Sequence, residues 1–119
     1  MAENLRLICA SSELLEAGKG VRFTVERYGV TTPAFVIRYQ GQVFAYFNEC
    51  AHVPAQLDWQ PGEFFDDSKL YLICSIHGAL YAPESGRCLG GRCGRRGLEP
   101  LSVCEIQGQI YLDLTDCHG

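Results

Sequence analysis

The stretch CAHVPAQLDWQPGEFFDDSKLYLICSIHG, residues 50–78, carries a thiol and an imidazole two residues apart, then a second such pair three residues apart. The first pair is Cys50-Ala51-His52; the second is Cys74-Ser75-Ile76-His77, followed at once by Gly78. Each pair follows an apolar run of strand character, so both are expected on turns at strand ends, where two adjacent loops can hold one metal site. Gly78 would let the backbone turn sharply beside its ligand. Two thiolates and two imidazoles suit tetrahedral zinc, yet zinc sites usually keep cysteine with cysteine and histidine with histidine. Here each loop offers one of each. The mixture also suits a binuclear iron centre in which one iron takes both sulfurs and the other both nitrogens.

The surroundings are those of a small β protein. At 119 residues the chain is expected to form one domain, 1–119. A chain of this size buries roughly two thirds of its unfolded surface, enough for one core. Short apolar runs rich in β-branched and aromatic residues predict strands at 5–9, 21–28, 34–39, 43–47, 70–74, 101–106 and 109–114. Gln40-Gly41 and Gln107-Gly108 mark hairpin turns, and only 12–17 suggests a helical turn. That pattern predicts an all-β antiparallel sandwich or barrel. Residues 48–100 interrupt it with Gly62, Gly78, Gly86, Gly90, Gly91, Gly94 and Gly97 and with Pro54, Pro61, Pro83 and Pro100. They read as an inserted, loop-rich subdomain, and long loops in compact domains are usually functional.

Composition excludes several classes. A net charge of −4 argues against nucleic-acid binding, which needs a basic footprint. No apolar run approaches the roughly 20 residues of a membrane span. The first residues are polar and Arg6 interrupts the first apolar run, so nothing reads as an export signal and the expected compartment is the cytoplasm. Seven cysteines then point to metal or redox chemistry before a disulfide framework. Charge is uneven: Asp58, Glu63, Asp66 and Asp67 form an acidic stretch, and Arg87, Arg92, Arg95 and Arg96 a basic one. Cys9 and Cys104 are expected to be small core residues and Cys117 and His118 to belong to a frayed tail.

Cys-x-His, then residues 53–73, then Cys-x-x-His-Gly followed by Leu80-Tyr81 and Ser85-Gly86 resembles the Rieske [2Fe-2S] proteins, in particular their small soluble ferredoxins. The resemblance covers most of the chain and implies a three-sheet antiparallel fold whose cluster-binding subdomain is about 48–100. It implies that Cys50 and Cys74 hold the inner iron and that His52 and His77 hold the outer, more exposed one. Two neutral imidazoles in place of thiolates ease reduction relative to an all-cysteine cluster, and their protonation lets the potential fall at high pH. High-potential relatives carry an extra cysteine near each ligand pair, joined in a disulfide across the loops. Here Pro54, Ala55, Ser75 and Ile76 occupy the nearby positions, and Ala79 stands where those relatives carry a serine. A low potential within the family range of about −150 to +300 mV follows, raised somewhat if Tyr81 donates to a cluster sulfur. The loop that often contains proline in relatives reads Cys88-Leu89-Gly90-Gly91-Arg92-Cys93-Gly94 here. Spacing permits a Cys88–Cys93 disulfide without proving one, and reduced, packed thiols are expected in the cytoplasm.

The resemblance implies a one-electron carrier with no substrate site of its own, docking transiently with a NAD(P)H-dependent reductase and with an oxygenase or other redox protein. An oxygenase would need a further mononuclear iron site, commonly two histidines and a carboxylate, and only His118 is left over. A reductase would need a dinucleotide fingerprint, which Gly18-Lys19-Gly20 does not complete. The alternatives are a zinc-stabilised interaction module and an iron-sulfur redox sensor, the latter because nearby thiols oxidise reversibly.

Overall fold

The computed structural model describes residues 5–27, 29–48, 57, 62–74, 78–90 and 97–113. Among these residues, ten strands form three antiparallel sheets. The first sheet contains β1 (Leu5–Ala10), β10 (Gln109–Asp113) and β9 (Val103–Ile106), in that order. The second orders β2 (Val21–Arg27), β3 (Val30–Tyr39), β4 (Gln42–Phe47) and β8 (Pro100–Leu101). The third is built from short strands, β5 (Leu72–Ile73), β6 (Leu80–Tyr81) and β7 (Cys88–Gly90). The helical turn expected at 12–17 is a single 3-10 turn at Ser11–Glu13.

Both expected hairpins are tight. Tyr39 pairs with Gln42 around Gln40 and Gly41, at φ +53° and +78°, and Ile106 pairs with Gln109 around Gln107 and Gly108, at φ +49° and +78°. Positive φ at both central residues matches the twist of the flanking strands. The carboxylate of Glu16 accepts the backbone N–H groups of both Gln40 and Gly41.

β3 explains why the fold has two cores. Its run Ala34-Phe35-Val36-Ile37 is fully buried, and alternation sends neighbours to opposite faces. Ala34 and Val36 join Val25, Ala45, Phe47, Leu101, Ile110 and Leu112 between the first two sheets. Phe35 and Ile37 join Tyr46, Leu57, Phe64, Leu72, Cys74 and Tyr81 under the third sheet. A strand covered on both sides reads as a continuous apolar run, which is how 34–37 reads.

The expected strand 101–106 is two strands in different sheets, β8 and β9, separated by Ser102. Ser102 accepts the Asp113 N–H at 2.9 Å, so the chain changes sheets there. The chain between β4 and β8 leaves and rejoins the second sheet side by side: Phe47 N–H donates to Glu99 O at 3.0 Å and Asn48 N–H to Pro33 O at 2.9 Å.

Candidate metal centre

Of the four predicted ligands, Cys74 lies among the described residues; Cys50, His52 and His77 lie outside them. For that reason no group of three metal-ligating side chains assembles among the described residues. What the structure does describe is how the two ligand-bearing segments are anchored.

Cys74 follows β5 directly and is completely buried. Its N–H donates to Ala79 O at 2.9 Å, and its own carbonyl accepts the Gly78 N–H at 2.7 Å. These bonds close a narrow turn between β5 and β6, and Gly78 occupies it at φ +70°. The positive φ answers the expectation that glycine is needed beside the second ligand pair. Cys74 is small and polarisable, so it packs readily among Phe64, Leu72 and Tyr81.

The first ligand segment begins after Asn48, which is fully buried beside Phe47 at the end of β4. Leu57, also fully buried, belongs to the same cluster as Cys74 and Ala79. Leu57 N–H donates to Asn48 Oδ1 at 2.8 Å. The far end of the first segment and the base of the second therefore share one apolar core. Two cysteines and two histidines on segments so anchored fit the mixed donor set of a [2Fe-2S] centre.

Rings stiffen this base. Phe64 stacks on Phe35 with centroids 3.9 Å apart, and Tyr46 lies against Phe35 at 5.9 Å. The Tyr46 hydroxyl donates to Pro83 O at 2.7 Å, tying β4 to the turn after β6. Burial pushes the Tyr46 hydroxyl pKa well above its usual value, with the nearby Glu84 carboxylate adding to the effect. Tyr81 is completely buried on β6, opposite Leu72 and Cys88.

Two cysteine expectations change. Cys88 is disulfide-bonded rather than a reduced packed thiol, with its partner outside the described residues. Its Sγ lies 3.9 Å from Gly90 O, a contact only, because a disulfide sulfur carries no proton to donate. Cys9 is buried as expected, but Cys104 is only half-buried, because it pairs with Tyr111 on the outer side of the first sheet. Cys117 and His118 lie outside the described residues, as do Arg92, Arg95, Arg96 and Asp58. Arg87 and Asp67 are exposed, and Asp66 is half-buried.

A groove of about 370 Å³ lies between β4, β8 and β9, lined by Tyr46, Glu84, Ser85, Leu101, Ser102 and Asp113 among others. Cys74 does not line it. Sequence reasoning singled out candidate ligands but missed Asn48; its signal was a polar residue ending an apolar strand two positions before Cys50.

The sequence profile of the Rieske [2Fe-2S] domain matches residues 4–105. No curated protein shows a significant sequence match. The fold is similar to the ferredoxin of carbazole 1,9a-dioxygenase from Nocardioides aromaticivorans IC177, with TM-score 0.72 and 21% identity over 92% of this chain and 96% of that one. It is similar to the Sphingomonas yanoikuyae B1 ferredoxin, with TM-score 0.68 and 21% identity over 92% and 98% of the two chains. A chain in a complex of reduced oxygenase and oxidised ferredoxin of carbazole 1,9a-dioxygenase matches with TM-score 0.70 and 22% identity over 93% and 94%. Three antiparallel sheets, a buried cysteine at the base of the second ligand turn and a family match across most of the chain agree: the protein belongs to the Rieske [2Fe-2S] domain family.

Proposed function

We propose that this chain is a one-electron carrier, a single domain over 1–119 with no substrate site of its own. It would take electrons from a NAD(P)H-dependent reductase and pass them to an oxygenase or another redox protein. Cys50 and Cys74 would hold one iron of the [2Fe-2S] centre and His52 and His77 the other. The observation that carries this reading is the Cys74 turn, closed by Ala79 and Gly78 and packed in one core with Leu57, in a chain of the Rieske family. The bound cluster supplies the one-electron couple.

The chain's own residues have three tasks. The packed base of Phe64, Leu72, Cys74 and Tyr81 excludes water from beneath the site. The hydrogen-bonded turn at Cys74 holds that ligand in one position, so little reorganisation accompanies each electron. The arginines at 87, 92, 95 and 96, which flank β7 in the sequence, would supply positive charge for an acidic partner surface, which chiefly speeds encounter. Among the described residues, no helix is long and apolar enough to cross a membrane. The proposed compartment is the cytoplasm, where NAD(P)H feeds the reductase.

The disulfide at Cys88 favours a second reading, an iron-sulfur redox sensor, because cytosolic disulfides are usually transient and redox-active. One experiment separates the readings. Anaerobically purified protein is assayed for iron, sulfide and zinc, reduced with dithionite and examined by EPR at low temperature. Two irons and two sulfides per chain, with the signal of a reduced mixed-ligand centre that cycles reversibly at low potential, support the carrier. A cluster that is lost rather than cycled supports the sensor. One zinc per chain and no signal overturn both.

A further inference from the structure

We infer that Asn48 is a positioning residue for the metal centre: its side-chain amide clamps the two ends of the segment that carries Cys50 and His52. This inference rests on the ligand assignment proposed above.

Asn48 is fully buried and is one of two buried polar or charged residues in the described core, the other being Thr32. A buried amide needs partners to offset its desolvation, and these positions are costly to leave unmatched. Its backbone N–H donates to Pro33 O at 2.9 Å, next to the bond from Phe47 N–H to Glu99 O at 3.0 Å. Asn48 is thereby fixed to the second sheet from both sides, by β3 and by the segment entering β8. Its Oδ1 accepts the Leu57 N–H at 2.8 Å. Leu57 in turn is buried against the cluster that contains Cys74. The chain thus leaves a fixed point on the sheet and arrives nine residues later at a second fixed point bonded to the first.

Comparison with the second ligand turn gives the clamp its meaning. There, Cys74 and His77 lie so close in sequence that main-chain bonds, Cys74 N–H to Ala79 O and Gly78 N–H to Cys74 O, close the base. The span from Asn48 to Leu57 is longer, and a side chain makes the closing bond instead. Closing a loop by holding its two ends together carries an entropic cost that grows with the length of chain between them. Asparagine meets that cost in the folded state, and alanine offers no acceptor. Both ligand pairs are then presented from hydrogen-bonded bases, one built from main chain and one from Asn48.

The test compares wild type with Asn48→Ala and with Asn48→Asp, which keeps an acceptor oxygen at the same reach. Three readouts are taken on purified holoprotein: iron and sulfide content, the rate of bleaching by excess EDTA, and hydrogen exchange of a peptide ending at Leu57. Asn48→Ala is expected to bleach about tenfold faster, in line with stranding a buried donor, to shift the EPR line shape, and to exchange faster at Leu57. Asn48→Asp is expected to recover most of the bleaching lifetime and protection. Wild-type bleaching and exchange in Asn48→Ala overturn the clamp. So does a global loss of protection that extends equally to β1 and β10, because the role is then merely structural. If wild type itself holds no iron and sulfide, the cluster assignment fails; unchanged Leu57 exchange in Asn48→Ala then separately overturns the clamp.

Discussion

Gly86 shows how much of this structure turns on single atoms. It sits at φ +74°, and a Cβ placed there would lie 2.7 Å from Cε1 of Tyr46 and 3.1 Å from Leu98 O. Gly86 N–H donates to Ala82 O and its carbonyl accepts the Leu98 N–H, both at 2.7 Å, so the backbone has no freedom to withdraw. Gly86→Ala should therefore cost at least about 2 kcal/mol, combining left-handed strain with overpacking. A urea titration followed by circular dichroism measures it, and an unchanged midpoint would refute this account. At this scale the sequence was legible where chemistry is rare: a thiol and an imidazole at short spacing stand out. Gly86 entered only through the family resemblance, and the reason for it was not legible, because the ring it must clear belongs to Tyr46, far away in sequence.

At the scale of elements, a cation reinforces the apolar join between the first two sheets. Arg38 of β3 makes a two-pronged contact with Glu105 of β9, at 2.6 and 3.2 Å, and its Nε–H donates to Leu14 O at 2.9 Å. That hydrogen bond to Arg38 holds the Glu105 carboxyl below its usual range. Nearby on β1, burial raises the Cys9 thiol from 9.0 to about 11, with Glu13 adding to the rise and Arg38 opposing it. The folded pKa exceeds the unfolded one, so the contribution of the neutral thiol is complete below 9.0 and is lost as pH rises through about 11. Stability of the wild type should fall across that window by up to about 2 kcal/mol more than that of Cys9→Ala. Parallel alkaline denaturation curves for the two proteins would contradict it.

Element boundaries followed local pattern well in β1, β2, β4 and β10, and less well elsewhere. β3 begins at Val30 rather than at 34, because pairing with β2 recruits Thr31, Thr32 and Pro33. The strand expected at 70–74 is formed only over its inner residues as β5, whereas β6 and β7, of two and three residues, are too short for periodicity to announce; all three cover the apolar face of Phe35 and Ile37.

For the whole molecule, charge bears on the proposed carrier role as well as the cluster. The net charge is −4, yet the basic residues Arg87, Arg92, Arg95 and Arg96 follow the second ligand pair closely. If they steer an acidic partner, Arg95→Glu combined with Arg96→Glu should slow the second-order rate of electron transfer by about tenfold at low salt and flatten its salt dependence, since screening acts on steering charges beyond a Debye length of about 10 Å at 0.1 M. Stopped-flow reduction of an oxygenase partner across ionic strengths checks it. An unchanged rate at low salt would show that these arginines do not steer.

The strand-rich antiparallel pattern was already determined by the amino-acid sequence, and the spacing of the four candidate ligands was legible there, because metal-ligand spacing and side-chain alternation are local properties of the chain. Only the tertiary structure decided that β3 serves two cores, that 101–106 divides between two sheets, that Cys88 is disulfide-bonded, and that Asn48 bonds to Leu57. Each of these depends on which distant segments meet, and that choice is made by the packing of the whole chain rather than by any window of it.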